Sequence, residues 1–303
     1  MKKRIMNLLA LCALAITITG CGKDAGTGEE GQEKAPDTVM DASDTPGQPQ
    51  EEQSLQEEQG TQEIQDTQDM SEPVQEEVNP EPETVIITNP SWDYYISQPA
   101  EPETAPLSLT VLEQSKNQIT DTEDWFERNG LVLPEYRDGR YSCLIEDGLL
   151  IHILENGVMK ATLDFSQFQY ADDFKPEDRD FVDQNIGGGA ICDGILYVST
   201  FHYTYAQSSP HNGYLTAIDL SDYSVLWKTR ALVCNSRNFE MVGDVILCGY
   251  GFTAEDDFLY QIDRKTGAVI GETDLASMMD YIVYQDGRLY VRTYHTDYVF
   301  EVE

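Results

Sequence analysis

Between Thr200 and Asn212 the chain reads TFHYTYAQSSPHN and gathers Phe201, His202, Tyr203, Tyr205 and His211, with Tyr214 just beyond. Aromatic rings on a loop stack on sugar faces or anchor a protein partner, because each offers a broad apolar face beside a polar edge. His202 and His211, joined by Asp172, Asp173 or Asp183 from the preceding loop, are also a candidate metal-ligand set, since ligands need only meet in space. None of the four histidines stands in an HExxH pair, however, so no motif supports a metal. A nucleophile is equally absent by pattern: there is no Gly-x-Ser-x-Gly, and no serine, cysteine or histidine stands out by context. Asp172-Asp173 and Asp256-Asp257 read as solvated loop carboxylates before they read as a general acid and base. Gly187-Gly188-Gly189 lacks the Lys-Ser/Thr of a phosphate loop and reads as a close backbone approach. The residues thus predict a partner-binding surface at Phe201, His202, Tyr203, Tyr205, His211 and Tyr214, with no catalytic residue, cofactor or metal.

The elements that must position this loop repeat along the chain. Gly213 to Arg230, GYLTAIDLSDYSVLWKTR, alternates as a half-buried strand, turns at Leu220 to Tyr223, and resumes at Val225-Leu226-Trp227. The same hairpin returns at Phe258 to Thr273, in shorter form at Leu149 to Leu163, and as a first half at Tyr298, where only one strand remains. A tight turn precedes each copy, at Asp147-Gly148, Asp193-Gly194, Gly243-Asp244 and Asp286-Gly287. Taking Gly148, Gly194, Asp244 and Gly287 as equivalent gives spacings of 46, 50 and 43 residues. A period of about that length, built of about four strands, marks a β-propeller blade.

The wording of the repeat, an apolar strand, a D-G turn, L-Y-V, then Y-L-x-x-I-D and V-L-W-K, resembles the pyrroloquinoline-quinone-type propeller repeat over roughly residues 138–303. The resemblance implies an all-β fold, a small β-propeller of about four blades. It does not extend to quinone chemistry, because the calcium site and catalytic acid of the quinone enzymes have no counterpart here. Since the fourth repeat ends after its third strand, Leu107 to Leu112 is the expected donor of the outer strand that closes the ring. Thr120 to Asn129 reads as a short helix with acids in its first turn, expected over one end of the first blade.

The N-terminus has a different character. Met1-Lys2-Lys3-Arg4 precedes an apolar run too short for a comfortable membrane span, and Ile18-Thr19-Gly20-Cys21 resembles the bacterial lipobox, which implies lipidation of Cys21. From Gly22 to Ala105 there are 22 acids and two lysines, with few aromatic or branched residues before Pro82, a composition that cannot offset the entropy of ordering. The segment is expected to be an acidic disordered tether with a relaxed span of about 50 Å and an extended reach of about 290 Å. Within it, Thr84 to Thr88 and Trp92 to Ile96 are apolar enough for strands or a docking segment. The formal charge of -36 leaves no basic patch for nucleic acid.

The expected organisation is therefore a lipoprotein signal peptide at 1–20, a tether at 21–105 and the propeller at 106–303. The expected location is the outer face of the bacterial cytoplasmic membrane, through a lipid anchor. There it would act as a binding or scaffold module for a protein or glycan partner, resembling at fold level the propeller lipoproteins that scaffold envelope assemblies. The alternative is a surface hydrolase of cell-wall or dietary glycans with carboxylates in a central funnel. Cys143, Cys192, Cys234 and Cys248 allow three disulfide pairings, and the sequence leaves the choice open.

Overall fold

The computed structural model describes residues 82–303 apart from Tyr136, Arg137, Asp147 and the side chain of Ile119; the expected signal peptide, Cys21 and the expected tether as far as residue 81 lie outside the described residues. Three strands come first: β1 (Glu83–Ile86), β2 (Tyr95–Ile96) and β3 (Leu109–Lys116). A 3₁₀ turn and the helix α1 (Thr122–Asn129) follow. The repeats then supply β4 (Tyr141–Glu146), β5 (Leu150–Glu155) and β6 (Val158–Asp164). Next come β7 (Asn185–Cys192), β8 (Ile195–Phe201), β9 (Tyr214–Asp219) and β10 (Val225–Lys228). The third group is β11 (Glu240–Val242), β12 (Val245–Tyr250), β13 (Phe258–Asp263) and β14 (Val269–Asp274), and the last is β15 (Met279–Gln285), β16 (Arg288–Thr293) and β17 (Thr296–Val302).

Hydrogen bonding sorts these strands into four sheets, β4-β5-β6-β1, β7-β8-β9-β10-β2, β11-β12-β13-β14 and β15-β16-β17-β3. They are the four blades of an all-β propeller. Within each repeat the pairing is antiparallel, and the D-G turns explain why: Asp193-Gly194 (φ 53° and 73°) and Asp286-Gly287 (φ 53° and 76°) hold the left-handed backbone of type I′ turns, whose twist matches the flanking strands. Gly187 is required for a different reason, since a Cβ there would lie 2.0 Å from the Phe201 ring.

The fourth blade is completed as its truncated repeat demands. β3 pairs with β17 from Leu109 opposite Val302 to Lys116 opposite Thr296, so the N-terminal side of the domain closes the C-terminal blade.

Residues 83–105, assigned by composition to the tether, are built into the domain. β1 lies parallel on β6 at the outer edge of the first blade, and β2 adds to β10 at the edge of the second. At the third blade Thr104 N donates to Asp263 Oδ2 (3.2 Å), and Leu107 exchanges both of its backbone groups with the Gln261 side-chain amide (2.7 and 3.1 Å). The chain from Glu83 to Lys116 is thus a belt that touches the outer edge of every blade in turn. β1 overlaps Thr84 to Thr88 and β2 falls within Trp92 to Ile96, the two segments apolar enough for strands or docking; what composition hid is that they belong to the domain rather than to the tether.

Apolar cores fill three of the blade junctions. Ile151, Leu163, Phe168 and Ile218 join the first and second blades; Tyr197, Leu215, Trp227 and Ile246 join the second and third; Leu247, Leu259, Ile282 and Phe300 join the third and fourth. On the far side of the fourth blade stands α1, whose Trp125 packs with Leu131 against Val283 and Tyr281. This corrects the expected position over the first blade. The cause is electrostatic as well as apolar: the buried Arg292 on β16 donates to Asp297 (3.1 and 3.2 Å), to Gln118 O (2.6 Å) and to Asp121, which together fix the entry to the helix. Gly130 ends α1 in the left-handed conformation, its N–H returning to Glu127 O. The four cysteines of the domain are free thiols.

Candidate functional site

The excursion between β8 and β9 is pinched at its base by one side chain. Asn212 accepts from His202 N (2.8 Å) and donates to His202 O (3.1 Å), so both arms of the loop are held together and its tip is presented as a fixed projection. The six residues expected to bind a partner divide accordingly. Phe201, His202 and Tyr214 are buried and face inward. Burial pushes the His202 ring down to about 4, which keeps it neutral at ordinary pH, and raises the Tyr214 phenol well above its usual range. The Tyr214 hydroxyl donates to Trp92 O (2.8 Å) on the belt. His211 is half-buried, with Nδ1 3.2 Å from Tyr214 Oη and Nε2 3.1 Å from Asp173 Oδ1. Among the described residues no group of three or more histidine, cysteine or acidic side chains gathers at metal-binding distance. Tyr203 and Tyr205 alone of the six expose their rings, at 60 and 38 %.

Those two rings serve different surroundings. Tyr203 stands perpendicular to Phe201 (5.0 Å), near Arg237, whose guanidinium pKa is raised, against the opposing effect of burial, chiefly by Asp280 and less by Tyr281 and Tyr203. Tyr205 turns the other way, edge-on to Phe252 at 4.9 Å, and enters a groove of about 490 Å³ between the second and third blades. The floor of that groove is Tyr250, Phe258 and Tyr260, from the ends of β12 and β13, and Leu232 forms one wall. Arg230 and Asp256 stand at its rim.

Glu255 joins the two loops that make the groove. Its Oε1 accepts from Ala206 N (2.7 Å) on the second-blade excursion, and its Oε2 accepts from Tyr250 Oη (2.8 Å) on the third blade. The neighbouring Asp257 carboxyl is pushed up to about 6 by burial and by the charges of Asp256 and Glu255. Arg230 lies over the Tyr260 ring at 5.2 Å and donates Nη1 to Ala231 O (3.1 Å). The sequence pointed to Tyr205 but not to Arg230, Tyr250, Glu255, Phe258 or Tyr260. Strand residues that line a groove are chosen by strand pairing and blade packing, and no local pattern announces which end of a strand opens to solvent.

A second, axial cavity of about 210 Å³ lies among the inner strands. Its walls are Leu133, Ile145, Gly188, Gly189 and Phe239, and its polar groups are Arg237 and Asn238. Asn238 bonds both backbone groups of Ile282 (3.0 and 2.6 Å), a bridge between the third and fourth blades. Among the described residues lining this cavity there is no carboxylate.

No protein-family model and no curated protein matches the chain. Solved structures to which it is similar include BamB from Moraxella catarrhalis, at 15% identity over 55% of this chain and 57% of that one (TM-score 0.32). The computationally designed Ika4 protein is similar at 10% identity over 55% of this chain and 89% of that one (TM-score 0.37). The dihydro-heme d1 dehydrogenase NirN in complex with DHE is similar at 15% identity over 64% of this chain and 38% of that one (TM-score 0.32). The match spans a little over half the length of the BamB chain.

Proposed function

We propose that the protein is a membrane-anchored, extracytoplasmic binding module that captures a protein or glycan partner in the groove between its second and third blades. The observation that carries this proposal is Glu255: one carboxylate ties Ala206 of one loop to Tyr250 of the next blade, so Tyr205 and the groove floor are held as a preformed aromatic surface. The lipobox-like Ile18-Thr19-Gly20-Cys21 and the acidic segment after it support the anchored location. Hydrolysis has less behind it. Among the described residues lining the axial cavity there is no acid pair of the kind a glycosidase uses, and in the groove Glu255 is engaged in loop bonding beside the exposed Asp256.

The test is capture of partners from cell-wall material and surface extract by the full-length protein in detergent. Tyr205→Ala is expected to abolish capture, whereas Tyr203→Ala, outside the groove lining, leaves it intact. Capture indifferent to Tyr205→Ala would remove the groove from the proposal.

A further inference from the structure

We infer that the groove takes a neutral saccharide, one pyranose ring stacked on Tyr205 and its hydroxyls shared between Arg230 and Asp256 at the rim; this rests on the groove being the binding site proposed above. Stacking on a sugar needs a ring face that is open and does not have to be ordered on binding. Tyr205 meets both conditions. It is 38 % exposed, Phe252 stands perpendicular to it at 4.9 Å, and its carbonyl accepts from Ser208 N (2.9 Å). Below it the floor is aromatic, so the apolar C–H face of a pyranose ring finds a matching surface.

The rim decides the class of ligand. Arg230 presents a planar fork, over Tyr260 at 5.2 Å and bonded to Ala231 O, and Asp256 presents an exposed carboxylate. A polyanion would meet Asp256 and Glu255, and a polycation would meet Arg230. A neutral polyol satisfies both signs, because each hydroxyl donates to a carboxylate and accepts from a guanidinium. The groove volume of about 490 Å³ suits a short oligosaccharide.

The experiment is titration of the full-length protein in detergent with four tetrasaccharides: neutral β-1,4-glucose and β-1,4-N-acetylglucosamine oligomers, the fully deacetylated cationic glucosamine oligomer, and anionic tetragalacturonate. At least one neutral oligomer is expected to bind, with both charged ones roughly tenfold weaker or worse, a margin of about 1.4 kcal/mol. Tyr205→Ala should weaken the neutral ligand about tenfold or more, and Tyr205→Trp, which keeps a stacking face, should retain it. Unchanged circular dichroism in both variants excludes misfolding as the cause. Absence of neutral binding, a preference for a charged oligomer, or indifference to Tyr205→Ala overturns the saccharide inference. If no oligomer binds while capture of surface protein is still lost in Tyr205→Ala, the saccharide falls and the groove stands. If capture is also unaffected, both fall.

Discussion

Lys228 Nζ lies 4.0 Å from the centroid of the Tyr214 ring, and both residues are fully buried. Trp92 (4.7 Å) and Phe168 (5.6 Å) close the other sides, and Asn89 Oδ1 accepts from the amine at 3.0 Å. Two walls of this cage, Asn89 and Trp92, come from the belt, so docking the belt is what buries the amine. Burial pushes the Lys228 pKa down to about 7, against a small opposing pull from Asp93.

A defined pH response follows. Between about pH 7 and the ordinary lysine value of 10.5 the unfolded chain holds this proton and the folded one does not, so stability contributed by this site rises with pH. Below pH 7 both states are protonated and the dependence from Lys228 vanishes. Denaturant midpoints measured from pH 7 to 9 should rise more in the native protein than in Lys228→Met; identical slopes would contradict the cage.

Arg292 is the second fully buried cation, and unlike Lys228 it is neutralised, by Asp297 and Asp121. Arg292→Met removes two bonds to Asp297, which keeps Arg128 and Asn117 (2.6 Å each), and leaves Gln118 O without its donor, so it should cost about 1–3 kcal/mol. Because the guanidinium also lies 5.8 Å from the Trp125 ring, loss of α1 packing should appear as a red shift in tryptophan fluorescence before global unfolding.

The turn between β13 and β14 is fixed by Asp263, whose Oδ1 accepts from Lys265 N, Thr266 N and Thr266 Oγ1 (3.1, 2.8 and 2.8 Å). Gly267 follows with φ 70°, and a Cβ there would sit 2.4 Å from Trp227 Cε3. Gly267→Ala therefore combines backbone strain with a clash in the core between the second and third blades, at about 2–4 kcal/mol by urea unfolding. Lys265→Ala, which removes only an exposed ion pair with Glu103 (3.0 Å), should leave the urea midpoint essentially unchanged.

For the anchor, Cys21→Ala should release the protein from the membrane fraction and abolish incorporation of a fatty-acid label. Retention in membranes without label would point to an uncleaved apolar segment instead.

The blades were legible because their signals are local: D-G turns, period-2 strands and a spacing near 46 residues reproduce β5–β6, β9–β10 and β13–β14. Even the closing strand β3 followed from counting strands in the last repeat. Thr84 to Thr88 and Trp92 to Ile96 were legible as strand or docking candidates, but where they dock was not, because their order comes from edges offered by residues some 70 to 130 positions away, such as Ala161 and Trp227. In the groove, Tyr205 was visible as an aromatic on a polar loop. Glu255 was not, since a carboxylate that brackets two loops has the same sequence signature as one that simply faces water.

The belt also gives the domain a mechanical order. A load arriving from the N-terminal side reaches Glu83 before any blade, and it meets the four pairs of β1, then the two of β2, then the Gln261 amide, then the long ladder of β3. Extension is therefore taken up in stages, and the first of them also draws Ile87 out of the core between the first and second blades.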